Sequence, residues 1–286
     1  MNSDDVDSFR MPLTEHLVEL RRRLIYCLVA IALLFFVCYH FSAHIYAFLA
    51  QPLADALADK GEAGRKMIYT GLHEAFFTYV KVSFFAAMFL AFPLIAVQLW
   101  RFVAPGLYKS ERRAFLPFLI ATPVLFFLGG AVAYYVVFPM AWHFFLGFEA
   151  PPNEGGLPIQ LEAKVDQYLG LVMQLIFAFG LCFQMPVLMT LLGRAGIISS
   201  RAMREKRRYA IVLAFIVAAV LTPPDVLSQI SLAIPTLLLY EISILCVRWV
   251  ERDRARAEAA SGDSGPAEAP DEPPARSVGD TAGGVP

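Results

Sequence analysis

WRFVAPGLYKSERR, residues 100–113, is a short basic turn held between two long apolar runs, and its reading decides the fold. Val82–Leu99 precedes the turn and Ala114–Phe138 follows it. Each run is long enough to cross a bilayer, because a helical span needs about 20 mostly apolar residues. The turn must then lie at a membrane surface. One carboxylate, Glu111, sits there among arginines and offers a docking point for a cationic group.

The rest of the 286-residue chain fits this start. Hydrophobic residues make up 58% and charged residues only 17%, where a soluble domain is about half apolar and a quarter charged. The apolar excess is gathered into blocks that predict an all-α, polytopic membrane protein with six helices. These are Leu24–Phe41, Phe76–Leu99, Phe115–Phe138, Tyr168–Leu192, Tyr209–Leu221 and Val226–Val247. The fifth run is short: about 13 residues rise about 20 Å, less than the roughly 30 Å hydrocarbon core. Thr222-Pro223-Pro224-Asp225 joins it to the sixth, and a Pro-Pro step cannot continue a helix. This pair reads as a tight hairpin, with local bilayer thinning and snorkelling flanks as the two ways to absorb the mismatch.

The net charge of −1 hides an asymmetry along the chain. Arg21, Arg22, Arg23, Arg101, Lys109, Arg112, Arg113, Arg201, Arg204, Lys206, Arg207, Arg208, Arg248 and Arg252 gather at one side of the spans. The other side has few cations, and acids offset them. Basic residues mark the cytoplasmic side, so both termini are expected there, in agreement with an even number of spans. Residues 1–23 are expected to be a cytoplasmic amphipathic segment and 24–249 the membrane domain. Residues 250–286, rich in Ala, Gly, Pro, Ser and acid from about Ala257, are expected to be a disordered cytoplasmic tail. The loops Ser42–Ala75 and Pro139–Asp166 are long enough to form caps. The N-terminus MNSDDVDSFR has no signal-peptide pattern, so the first run is expected to stay as an anchor.

Several polar residues stand out against this apolar background. Leu13, Leu17, Leu20 and Leu24 recur at helical spacing, and Glu19 lies among Arg21, Arg22 and Arg23. Glu19 has two readings: a local ion pair with Arg22 or Arg23, or a binding group. Glu111 likewise pairs with Arg112 or Arg113, sits at a helix N-terminus, or binds a ligand. Two carboxylates on one side could take two guanidinium groups by bidentate hydrogen bonds that lysine reproduces poorly. Gln174 and Gln184 in the fourth run need partners in hydrocarbon, either inside the bundle or on a separate transmembrane helix. Glu241 pairs with a cytoplasmic arginine or is functional. Asp225 caps the last helix or acts at the hairpin with Gln229. His40 and His44 stand at i,i+4 without an evident third ligand, so no metal site is expected. No P-loop, G-x-S-x-G or H-E-x-x-H occurs, so no enzyme and no cofactor is expected. A small-solute transporter would instead use Gln174, Gln184 and Glu241 as a midplane site.

The pieces His16-Leu-Val-Glu-Leu-Arg21, Gln51-Pro52-Leu53, Phe102-Val-Ala-Pro-Gly-Leu-Tyr-Lys-Ser-Glu-Arg-Arg113, Ala133-Tyr-Tyr-Val-Val-Phe-Pro139, Phe183-Gln-Met-Pro186 and Leu221-Thr-Pro-Pro-Asp-Val-Leu-Ser-Gln229 occur in this order. Together they resemble the TatC family, the core subunit of the twin-arginine protein translocase, over about Leu13–Trp249. The resemblance implies six helices in a concave, cupped-hand bundle. It also implies export of folded proteins with twin-arginine signal peptides, driven by the proton-motive force. By the same resemblance, Glu19 and Glu111 bind the signal, supported by Arg21 and Phe102. Gln184 contacts a partner helix, and Pro52, Asp225 and Gln229 matter for transport on the outer side. The implied partners are single-span TatA- and TatB-type subunits in a multi-copy complex of the bacterial inner membrane. Gln at position 184, where relatives have Glu or Gln, removes any protonation argument there. Arg207-Arg208-Tyr209 stands where relatives often have Arg-Pro-Tyr.

Overall fold

The computed structural model describes residues 13–62, 64–103, 116–149, 159–222 and 226–262. Ten α-helices and one π-helical turn make up the regular structure among them. They are α1 (Leu13–His40), α2 (Ser42–Asp59), α3 (Glu74–Val103), α4 (Leu116–Val132), the π turn (Ala133–Val137), α5 (Phe138–Leu146), α6 (Val165–Cys182), α7 (Met185–Arg194), α8 (Ser200–Glu205), α9 (Arg207–Leu221) and α10 (Val226–Gly262). Among the described residues, five stretches are long and apolar enough to cross a membrane: Leu17–His40, Glu74–Phe102, Pro117–Leu146, Val165–Arg194 and Val226–Arg256. The sixth expected run is α9, whose 15 residues rise about 22 Å at 1.5 Å each.

Four features depart from the sequence reading. The amphipathic start is continuous with the first apolar run, because α1 runs unbroken from Leu13 to His40; no Pro or Gly interrupts it. The loop after α1 is largely the helix α2, with Pro52 inside it. Leu49, Leu53 and Ala56 recur at helical spacing and are buried, and that packing outweighs the proline. The third run continues through the π turn to Leu146. Pro139 lacks an N–H and its ring crowds the preceding turn. The chain widens there, and Phe138 N–H reaches back five residues to the Ala133 carbonyl. Finally, α10 runs on to Gly262, into the stretch expected to be disordered. Arg, Glu and Ala, all good helix formers, dominate that extension. Glu251 also anchors it, accepting from Ser200 N–H (2.8 Å) and Ser200 Oγ (2.5 Å) at the start of α8.

α1 packs along α3, α4 along α6, and α10 along both α7 and α9. The main core joins Leu49 and Leu53 of α2, Tyr134 and Val137 of the π turn, Phe138 and Trp142 of α5, and the buried face of α6. A smaller cluster, Met203, Ile244 and Val247, lies at the arginine-rich end. Large apolar side chains such as Phe36, Leu33 and Leu213 stand exposed, as expected where the surrounding solvent is lipid.

The end opposite the arginines is closed by a polar knot. Glu149, 14% exposed, takes Arg65 at 2.5 Å and lies 3.7 Å from Lys60. It also accepts from Leu161 N–H at 2.9 Å. A backbone bridge between Ile68 and Lys164 completes the closure. Burial pushes the Glu149 carboxyl up, but the Arg65 hydrogen bond, the Leu161 amide and the two cations outweigh it and hold it below the usual carboxylate range. A depressed folded-state value contributes stability that is present above the unfolded carboxyl's value, near 4.3. That contribution is lost as pH falls through the folded value. Thermal stability is therefore expected to be level down to about pH 5 and to fall below about pH 4. Glu149→Gln is expected to weaken the neutral-pH fold and flatten the acid arm. An unchanged acid arm in that variant would refute the assignment.

Candidate functional site

Helix α1 leans on α3, so the first turns of one meet the last turns of the other. Glu19, half-buried, forms an i,i+4 ion pair with Arg23. Arg23 also donates to the Gln98 carbonyl of α3 at 3.3 Å. Its guanidinium lies 5.9 Å from the Phe102 ring centroid, a cation–π distance. One arginine thus joins Glu19 to Phe102. Arg22 turns to its own helix, donating to Tyr26 Oη at 3.1 Å. Arg21 is exposed, and no hydrogen bond or ion pair to it is recorded among the described residues. Glu111 lies outside the described residues.

The site therefore gathers Glu19 and Phe102, leaves Arg21 at its edge, and adds Arg23. The i+4 spacing from Glu19 signalled the local pair. Nothing in the sequence signalled the bridge to Gln98 and Phe102, which requires knowing that α1 and α3 pack together.

A second polar chain begins two residues before Phe102. Trp100 Nε1 donates to Thr122 Oγ1 at 3.0 Å, and Thr122 Oγ1 donates to the Phe118 carbonyl at 2.8 Å. Gln184 Nε2 donates to the Thr122 carbonyl at 2.9 Å. Gln184 sits at the break between α6 and α7, just before Pro186. The bundle supplies one partner for its amide, while its oxygen accepts no hydrogen bond from the described residues. Gln174 is exposed on α6. Glu241 pairs with Arg207 at 2.5 Å. The three polar groups of a midplane transport site are thus tied to three different surroundings.

At the other end, Pro52 has a clear local consequence. It has no N–H, so the Phe48 carbonyl four residues back loses its helical donor. Tyr134 Oη donates to that carbonyl at 2.7 Å, and the two rings stack at 4.4 Å with 4° between their planes. Tyr168 Oη donates to the next carbonyl, Leu49, at 3.0 Å. Tyr134 belongs to the π turn that Pro139 induces, so two prolines position one hydrogen bond. Gln229 Nε2 donates to the Phe215 carbonyl at 3.3 Å and ties α10 to α9. Asp225 lies outside the described residues.

Known proteins share this arrangement. The family model described as Sec-independent protein translocase protein (TatC) matches residues 15–235. A protein of Magnetococcus marinus named Sec-independent protein translocase protein TatC is 54% identical over 251 residues, 88% of this chain and 89% of that one. A protein of the same name from Escherichia coli is 42% identical over 248 residues, 86% of this chain and 92% of that one. A crystal structure titled as the twin arginine translocase receptor TatC superposes with a TM-score of 0.70 at 36% identity, covering 82% of this chain and 99% of that one. A multi-pass membrane protein, the chain belongs to the TatC family of Sec-independent protein translocase proteins.

Proposed function

We propose that this chain is the receptor and core subunit of a twin-arginine translocase. The observation that carries the reading is that Glu19, at the head of a long apolar helix, already holds a guanidinium beside the aromatic Phe102. A site built to accept one arginine has the chemistry to accept a ligand's arginine. Glu111, nine residues beyond Phe102 in chain order, supplies the second carboxylate, and Arg21 borders the pair. The apolar part of the signal then lies against the exposed apolar faces of the bundle. The basic residues near the helix ends favour cytoplasmic termini, in a bacterial inner membrane.

Single-span TatA- and TatB-type subunits are the partners, in a multi-copy complex driven by the proton-motive force. The free oxygen of Gln184 and the exposed amide of Gln174 support docking of a partner helix along α6 and α7, since an amide in hydrocarbon gains from a partner. Pro52, Asp225 and Gln229 act in transport on the outer side. The reading is tested by binding of a synthetic signal peptide to the detergent-solubilised protein. Strong preference for Arg-Arg over Lys-Lys, lost on Glu111→Gln, is the expected result. Equal binding of the two peptides would overturn it.

A further inference from the structure

We infer that Arg23 is an internal stand-in for the ligand: it occupies Glu19 in the resting protein, and an arriving arginine must displace it. The inference rests on the receptor reading above and concerns how that site is kept closed. Arg23 contacts Glu19 through Oε1, and Glu19 keeps 30% of its side chain exposed while Arg23 keeps 16%. No partner of Glu19 Oε2 is recorded among the described residues, so a ligand guanidinium can engage that oxygen first. A bidentate grip on both oxygens then requires Arg23 to let go of Oε1.

Letting go is inexpensive for Arg23 because two other contacts remain. Its Nη1 still donates to the Gln98 carbonyl, and its guanidinium still lies against Phe102. The joint between α1 and α3 therefore survives the exchange. The resting pair has a second effect. It keeps a carboxylate on the membrane surface from capturing stray cations, so only a group that competes well with a guanidinium opens it. A competing internal ligand lowers apparent affinity in proportion to the fraction of time it leaves the site free. For a half-exposed i,i+4 pair that fraction corresponds to about a two- to fivefold effect.

The test is a cycle of four full-length proteins in detergent: wild type, Arg23→Gln, Glu19→Gln, and the double variant. Each is titrated with a synthetic Arg-Arg signal peptide, and thermal unfolding serves as a control for folding. Arg23→Gln is expected to bind about two- to fivefold more tightly than wild type. Glu19→Gln is expected to bind more weakly, and adding Arg23→Gln to it is expected to change nothing. Arg23→Lys, which keeps the charge and the apolar stem, moves affinity the same way by less, and it replaces Arg23→Gln should glutamine loosen α1 from α3. Weaker or unchanged binding in the Arg23 variants, with Glu19→Gln still impaired, would overturn the inference. So would an equal gain in both backgrounds, which marks simple charge repulsion. Undiminished binding by Glu19→Gln would instead overturn the receptor role of Glu19 itself.

Discussion

Replacing Glu19 and Glu111 together by alanine is expected to abolish binding of a twin-arginine peptide while leaving the protein folded. A hydrogen bond to a charged group contributes about 1.5–3 kcal/mol. Two carboxylates that each grip one guanidinium therefore account for a factor on the order of 10²–10⁴ in affinity. Stability should move far less. Glu19 is partly exposed, and its intrahelical pair with Arg23 contributes at most about 1 kcal/mol. Arg23 keeps the Gln98 carbonyl and the Phe102 ring when Glu19 is gone. Peptide anisotropy and thermal unfolding, measured on the same preparation, separate the two effects. Wild-type affinity in a double variant with wild-type unfolding would sink the assignment of both carboxylates.

The single substitutions carry different information. In Glu19→Ala, Arg23 keeps its contacts to the Gln98 carbonyl and the Phe102 ring. Because Arg23 already competes for Glu19, loss of Glu19 should cost about two- to fivefold less than loss of an unoccupied carboxylate. The costs at positions 19 and 111 are read from the same titrations.

Some of this arrangement was legible in the sequence and some was not, for physical reasons. Apolar length alone located the five long spans, because bilayer thickness leaves few choices. Glu19 was visible as a lone acid among arginines. Its local pairing with Arg23 followed from i,i+4 geometry. The contacts of Arg23 to α3 were not legible, because they join residues 75 positions apart. Gln184 announced that it needed a partner, but only packing chose the Thr122 carbonyl. Pro52 fell in a stretch read as a capping loop, yet it sits buried in α2, and the Phe48 carbonyl it leaves without a donor is taken by Tyr134. The π turn escaped notice because a proline's strain can be relieved by breaking, kinking or widening a helix, and the tertiary contacts decide which. The roles proposed for Asp225, Gln229 and Arg21 came from resemblance, since spacing alone left each with an ordinary structural alternative.

The seam between α4 and α6 should be the least forgiving part of the bundle. A Cβ placed on Gly129 would stand 2.6 Å from the Phe179 carbonyl oxygen and 3.0 Å from Gly180 Cα. Those atoms are backbone, so no side chain can swing aside. A Cβ on Gly180 would meet the Phe126 ring at 2.7 Å, and that ring is itself pinned against Phe92 at 3.6 Å. Close backbone approach through small residues is how transmembrane helices pack without a hydrophobic drive between them. Gly129→Ala is therefore expected to cost about 1–3 kcal/mol by overpacking, and Gly129→Val more, with the helices forced apart. Gly170, on the same helix as Gly180, offers a control, since nothing lies within 4 Å of its Cβ position. Gly170→Ala should be neutral or stabilising by up to about 1 kcal/mol from helix propensity. Unfolding of the three variants in detergent, by heat or by denaturing detergent, reads the difference directly. Equal stability of Gly129→Ala and Gly170→Ala would show that α4 and α6 do not meet this closely.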